Sequence, residues 1–394
     1  PMHTPAFEIT RLPEIVFGDH SLQKLPSHVR RFGKRILVVT GQRSLSQTPQ
    51  WQSLQDGLQA EHIHWEHLKI PNEPTPAIVD DAVLTFQNAG IEVVVGIGGG
   101  SALDAAKAIA GLLPSGDSVM CYLEGVGSGK SFAGPTLPFI AAPTTAGTGS
   151  EATKNAVITQ PGPGGFKKSF RHTNLVAQIA ILDPTLLASC PPDLIAADGM
   201  DAFTQLLEAY TSQKANPITD ALAWSGLERF CEGFWPTWRG GDHAAKGREH
   251  LAYSSLMSGI CLAQVGLGVV HGLASPLGAA SPIPHGVVCG TLLGVATEAN
   301  ISTLKECAPD HPALSKYARV GRLISQESQA NHDEALQLLV HTLHNWINDL
   351  KLARLSHYGI AENELDGIIK KAGMKNNPVT LSPHQLKALL TQRL

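Results

Sequence analysis

Several things are scarce in this chain, and each scarcity closes off a class of function. None of its six cysteines (Cys121, Cys190, Cys231, Cys261, Cys289, Cys307) forms a C-x-x-C pair, so neither a zinc ribbon nor a redox dithiol is expected. Scattered thiols of this kind read as reduced and mostly buried, which fits a cytoplasmic protein. Basic residues are not in excess: net charge is −4. Nucleic acid and anionic membrane both select basic surfaces, and neither is expected as a partner. Apolar runs stop short of the ~18 residues that a membrane span needs. The opening PMHTPAFEIT lacks the charged-then-apolar pattern of a secretory leader. Charged residues are only 16% against 43% hydrophobic, the balance of a well-packed globular enzyme.

With 394 residues the chain is too long for one ordinary core, so two domains are expected. The first part alternates strand and helix patterns. RILVVT (35–40) and IEVVVGI (91–97) are β-branched runs typical of buried strands, and 63–70 alternates as a strand does. Helical patterns cover 44–60, 77–89 and 101–113. LPFIAAPTT (137–145), NAVITQ (155–160) and QIAILDP (178–184) add further strands. Strand–helix–strand order predicts a parallel sheet covered by helices. From Leu194 onward β-rich runs nearly vanish and helical periods follow one another, at 193–213, 217–238, 243–264, 285–300, 311–326, 333–349, 361–373 and 382–392. Pro184, Pro191 and Pro192 punctuate the change. The expected architecture is α/β plus all-α: a Rossmann-like parallel-sheet domain over 1–188, a helical domain over 189–394, and an active site in the cleft between them.

Three stretches of the first part suggest a nucleotide site. VVVGIGGGSALDAAKAIA (93–110) is a strand, then Gly98-Gly99-Gly100, then Ser101 opening a helix. Glycines let the backbone approach a ligand, and a helix N-terminus offers free N–H groups and a positive dipole end, which suits a pyrophosphate. The spacing is not G-x-G-x-x-G, so a plain structural turn remains an alternative. Asp104 either supports this loop or favours the dipole. APTTAGTGSEAT (142–153) packs Thr144, Thr145, Thr148 and Ser150 around Gly147 and Gly149 after a buried strand. Short hydroxyls there can bond ribose or phosphate oxygens. At the end of the first long strand, where an acidic residue would bind a ribose 2′-hydroxyl and repel a 2′-phosphate, stands Gly41, with Arg43 and Ser44 nearby. No carboxylate excludes NADP, so NAD or NADP is expected.

In the second part, AADGMDAFTQLLEAY (196–210) sets Asp201, Gln205 and Glu208 on one helix face. HGLASPLGAASPIPHG (271–286) carries His271 and His285 in otherwise non-ionising surroundings. One carboxylate and two imidazoles suit Fe(II) or Zn(II) with positions left for water and substrate. Other histidines (His62, His64, His67, His341, His344) read as an exposed strand or a helix face.

Taken together, FGDHSLQKL, the GGGS turn, PTTAGTGSEAT, DGMDAFTQLLEAY and VHGLASPLGAASPIPHG resemble the group III, iron-containing alcohol dehydrogenases, in the superfamily that includes glycerol dehydrogenase and dehydroquinate synthase. The resemblance covers about residues 7–300 well and the tail more loosely. It implies a metal held by an Asp and three His. Asp201, His271 and His285 match three of these positions, and Gln205 stands at the fourth. A second histidine, four residues after the first in many relatives, is Ser275 here. For the cofactor the resemblance implies Gly98, Gly99, Gly100 and Ser101 at the pyrophosphate. It places Asp104, Thr144, Thr145 and Thr148 near ribose, phosphate or nicotinamide, and Asn72 on the adenosine side, with Glu73 inserted before Pro74. Lys167 matches a cofactor-side lysine, with Lys168 as a competing assignment. The implied activity is metal-dependent hydride transfer between nicotinamide and a small alcohol or aldehyde, by a homo-oligomer. Two alternatives stand beside it: a dehydroquinate-synthase-like lyase or cyclase, and a metal-free nucleotide-binding protein.

Overall fold

The computed structural model describes residues 3–42 and 45–394. Among the described residues, eight strands lie in the first half: β1 (Glu14–Phe17), β2 (Arg35–Gly41), β3 (His64–Ile70), β4 (Val93–Gly98), β5 (Phe139–Pro143), β6 (Asn155–Gln160), β7 (Phe166–Arg171) and β8 (Ile179–Leu182). Four helices accompany them: α1 (Leu25–Val29), α2 (Pro49–Ala60), α3 (Pro76–Phe86) and α4 (Gly100–Leu112). Six strands form one parallel sheet in the order β1-β8-β5-β4-β2-β3. Ile36, Val38, Val93, Val95 and Ile97 pack on one face with Leu25, Val29, Leu54 and Leu58 of α1 and α2. Leu37, Val39 and Val94 pack on the other with Val79, Val83, Leu103 and Ile109 of α3 and α4. Burial on both faces is why these strands read as unbroken apolar runs.

NAVITQ departs from the expectation. As β6 it pairs antiparallel with β7 in a separate two-stranded hairpin, outside the main sheet. The polar FKKSFR of β7 shows no strand pattern of its own, and only its pairing with β6 makes it one.

Helices α5 (Pro192–Tyr210), α6 (Pro217–Arg239), α7 (Ala244–Val265), α8 (Val269–Ala280), α9 (His285–Cys307), α10 (Pro312–Ser325), α11 (His332–Asp349), α12 (Leu365–Lys371) and α13 (Pro383–Gln392) make the second half. They share one core, in which the rings of Phe203, Phe230 and Trp346 meet tilted or edge to face around the buried α5. Helix α9 corrects the reading of apolar runs. It is long and apolar enough to cross a membrane by length and composition, yet 78% of its apolar window is buried inside the protein, as for a core helix.

Helix α8 has no counterpart in the sequence reading. Its glycines (Gly272, Gly278) and internal Pro276 disfavour a helix. Its first turn is instead fastened from outside: Asn377 Oδ1 accepts from Val269 N–H and Glu208 Oε2 from Val270 N–H, which satisfies donors a helix N-terminus leaves open.

Candidate active site

The chain runs from β2 outward to β3, then crosses back to β4 and onward to β5 in the opposite direction. Ligands of open parallel sheets bind outside the carboxyl ends of the strands at such a reversal. Gly41 ends β2 and Gly98 ends β4, side by side across that point. A methyl group on Gly98 would lie 2.7 Å from Ala102 Cβ, and one on Gly100 would lie 2.8 Å from Thr148 Cγ2. Only glycine lets the strand, the start of α4 and the threonine loop close in this way. No side chain caps α4, whose N-cap is Gly99, so its first N–H groups face the crevice, the arrangement that receives phosphates. Thr145 and Thr148 are half-buried above them, while Thr144 is buried with its N–H on Gly98 O. A surface cavity of about 230 Å³ near His20, Gln50 and Asp183 shares no residue with these loops.

The remaining nucleotide-side candidates have definite partners or exposures. Asp104 accepts from Ser150 Oγ through one oxygen and from Val157 N–H through the other, so it supports the loop and its oxygens are engaged there. Lys107, which the sequence reading passed over, is fully buried and donates to Ser150, Thr153 and Asn155. Burial pulls its pKa down to about 8 against the pull of Asp104 and Glu151. Lys167 pairs with Glu73 at 2.8 Å. Ser275 Oγ donates to the Lys167 carbonyl and pins the β6–β7 hairpin to α8. Asn72 is exposed in the turn after β3. Gly41 has open space where a side chain would stand. Arg43 and Ser44 lie outside the described residues.

In the helical half, three helices converge. Asp201 from α5 places Oδ1 3.1 Å from His271 Nε2 of α8 and 3.2 Å from His285 Nε2 of α9. Gly286 explains the bareness around His285: any larger residue would overlap the Ala197 carbonyl of α5, so α9 could not start this close. Glu208, one face-turn along from Gln205, takes His271 Nδ1 at 2.6 Å and fixes which nitrogen points at Asp201. The shared helix face of Asp201, Gln205 and Glu208 was visible in the sequence, but this orienting role was not. Asp201 and His271 are buried; His285, with 29% of its side chain exposed, is where the group opens to solvent.

A fourth donor was missed. Cys289, one turn after His285, joins Asp201, His271 and His285 in a group whose ligand atoms all lie within 4.8 Å of one another. Spacing of i, i+4 from a predicted ligand was the available signal; in an Ala/Val/Gly/Leu helix the thiol passes for packing. Gln205 uses its amide NH₂ on Gly147 O and Ser258 Oγ, both at 2.9 Å, and so ties α5 to the threonine loop.

The electrostatics of the group fit a cation. Burial opposes ionisation of Asp201, but His285 and His271 hold its pKa far below the usual carboxylate range. Burial would lower the imidazoles, yet Cys289 and Asp201 outweigh it, taking His285 up to about 9 and His271 well above its ordinary value. Two lone-pair nitrogens beside a carboxylate oxygen require positive charge between them, either protons or a divalent ion.

The comparisons with known proteins agree with this geometry. The model of the iron-containing alcohol dehydrogenases matches residues 13–184, and that of the Fe-containing alcohol dehydrogenase family C-terminal region matches residues 195–394. The probable alcohol dehydrogenase EutG of Escherichia coli (strain K12) is 31% identical over 383 residues, covering 96% of this chain and 92% of that protein. The 1-propanol dehydrogenase PduQ of Citrobacter freundii is 35% identical over 298 residues, covering 75% of this chain and 74% of that protein. Among solved structures, an archaeal halo-thermophilic alcohol dehydrogenase from a Red Sea brine pool superposes with a TM-score of 0.90 at 27% identity, covering 100% of both chains. The chain thus belongs to the iron-containing alcohol dehydrogenase family, metal-dependent, nicotinamide-linked oxidoreductases acting on CH–OH groups.

Proposed function

We propose that this chain interconverts short-chain aliphatic aldehydes and alcohols, accepts NADP(H) as well as NAD(H), and does so in a cleft between residues 1–188 and 189–394. The observation that carries the proposal is the bond from Gln205 to Gly147. It sets the donor group one turn of α5 away from the threonine loop that would hold the nicotinamide end of the cofactor. Fixing the two reacting centres in one cleft is the proximity term of catalysis.

Asp201, His271 and His285 would hold the metal, and Glu208 orients His271. Gly98, Gly99, Gly100 and Ser101 would receive the pyrophosphate. Thr145 and Thr148 would face the nicotinamide ribose, and Gly41 the adenosine ribose. A divalent ion, when bound, supplies Lewis acidity that polarises a carbonyl or acidifies an alcohol, worth several kcal/mol. The Ser275 hydroxyl and the Gln205 NH₂ are committed to other partners, so the proton is exchanged with solvent on the open His285 side. The 1-propanol named for PduQ supports the substrate class.

Two further traits complete the proposal. Phe7, Ile9, Leu12, Ile15 and Phe17 are exposed along the N-terminal segment and the edge strand β1, an apolar strip that suits a homo-oligomer contact. All six cysteines are unpaired, which suits a reducing cytoplasm.

The test is direct. Protein supplied anaerobically with Fe(II) or Zn(II) should oxidise NADH and NADPH with a series from acetaldehyde to butanal. No turnover with either metal and either cofactor would overturn the proposal. Cofactor dissociation constants decide the NADP part, which a strong preference for NADH would sink.

A further inference from the structure

Cys289 stands in an unusual relation to the other donors. Its Sγ lies 3.6 Å from His271 Nε2, 3.7 Å from His285 Nε2 and 3.7 Å from Asp201 Oδ1. Cys261, the other fully buried thiol, shows the ordinary case: its Sγ sits against a backbone carbonyl, Thr219 O, at 3.6 Å. Cys289 has no backbone partner of this kind; its polar neighbours are the three metal donors.

The distances have a simple interpretation. In a tetrahedral zinc site with Zn–S of about 2.3 Å and Zn–N or Zn–O of about 2.0–2.1 Å, sulfur lies about 3.6 Å from each of the other donors. The same geometry sets nitrogen–oxygen edges at about 3.3 Å. Three sulfur edges of 3.6, 3.7 and 3.7 Å and two nitrogen–oxygen edges of 3.1 and 3.2 Å match that figure within a few tenths of an ångström. Three backbone segments set these distances: α5 for Asp201, the capped first turn of α8 for His271, and the first turns of α9 for His285 and Cys289. Gln205, meanwhile, is turned to Gly147 and Ser258 by its NH₂.

We propose that Cys289, and not Gln205, is the fourth protein ligand of the metal site, giving an Asp/His/His/Cys set that selects Zn(II) over Fe(II). The inference rests on the reading that this group is the enzyme's metal centre. Thiolate is a soft ligand that favours zinc among the available divalent ions, and a near-tetrahedral frame suits an ion with no geometric preference of its own. With four protein donors, catalysis requires the ion to take a fifth neighbour, as catalytic zinc sometimes does in the transition state.

Cobalt tests this without turnover. The full-length protein is stripped with a chelator, reloaded with Co(II), and its absorption recorded. A thiolate-to-cobalt charge-transfer band in the near ultraviolet is expected in the wild type and in Gln205→Ala, and is expected to vanish in Cys289→Ser and Cys289→Ala. Circular dichroism confirms folding of the variants, and the wild-type spectrum decides alone if they misfold. In competition, the wild type should retain zinc over Fe(II), and Cys289→Ser should lose metal affinity by more than tenfold, since even an outer partner is worth about 10–100-fold. A cobalt complex without the band, a band that survives Cys289→Ser, or no cobalt uptake would overturn the proposal. Turnover without the band sinks this ligand and leaves the dehydrogenase; the band without turnover does the reverse.

Discussion

In the proposed cleft, the wall assigned to the nucleotide is made of backbone and glycine, whereas the wall assigned to the metal is made of side chains drawn from three helices. Gly98, Gly99 and Gly100 work because they carry no side chain; they follow one another in sequence, and their bareness admits Gly41, Thr145 and Thr148 from other loops. Asp201, His271 and His285 are separated by up to 84 residues (285 − 201) and meet only through the packing of α5, α8 and α9. The first wall is local and its chemistry is generic: free N–H groups for any phosphate. The second is long-range and its chemistry is particular, since each donor changes which ion is held. If the contrast is right, each wall can be damaged without the other.

The largest effect is expected from His271→Ala. Losing one imidazole and the grip of Glu208 should abolish metal retention, measured by elemental analysis, and lower aldehyde turnover by about 10³-fold, the equivalent of several kcal/mol. NADH affinity, read by fluorescence, should stay within about twofold. A parallel loss of cofactor binding would show that the walls fold as one. The mirror experiment is Gly100→Val. Its side chain would press on Thr148, an overpacking worth about 1–3 kcal/mol, so NADH should weaken about 10–100-fold while metal content is unchanged. Metal loss in that variant would break the contrast from the other side.

How much of this was legible in the sequence follows the same division. The GGGS turn, the threonine loop and the buried strands were readable because their signals are contiguous. Asp201, His271 and His285 stood out as candidates because the two histidines lie in a stretch with no other ionisable side chain and Asp201 opens a polar helix face. Cys289 was not, because a thiol in an apolar helix is ordinarily packing and only the fold reveals its equal distances to three donors. For Asp104 the sequence left loop support and the helix dipole open, and only the fold shows that Ser150 and Val157, 46 and 53 residues away, engage its two oxygens. Helix α8 was invisible because the caps that form it come from Glu208 and Asn377, far away in the chain. The β6–β7 hairpin was missed for the same reason, since β7 is polar and becomes a strand only by pairing.

Acidity should also act on one wall only. In the metal-free protein His285 holds its proton up to about 9, because Cys289 and Asp201 outweigh burial. An ion must displace that proton. Below about pH 9 its affinity should therefore fall with falling pH, roughly tenfold per unit for each proton displaced. Zinc titrations between pH 6 and 8 check this. A flat profile would mean that the imidazoles are already neutral in the metal-free state. Cofactor affinity should not follow the same slope.

The smallest effect tests whether the nucleotide wall carries any particular chemistry at all. Gly41 ends β2 beside Gly98, its backbone is not in the left-handed region, and a Cβ added there meets no atom of the described residues within 4 Å. Gly41→Asp should therefore fold without strain. A carboxylate at that strand end would face the adenosine ribose, where it accepts from a 2′-hydroxyl and repels a 2′-phosphate. Two charges about 4 Å apart in a wet cleft cost about 1 kcal/mol each way, so NADPH should weaken by about five- to tenfold, with NADH unchanged or slightly tighter. Equal loss of both cofactors would indicate a steric effect. No change in either would place the adenosine end away from β2, and the glycine at this position would then have no bearing on cofactor choice.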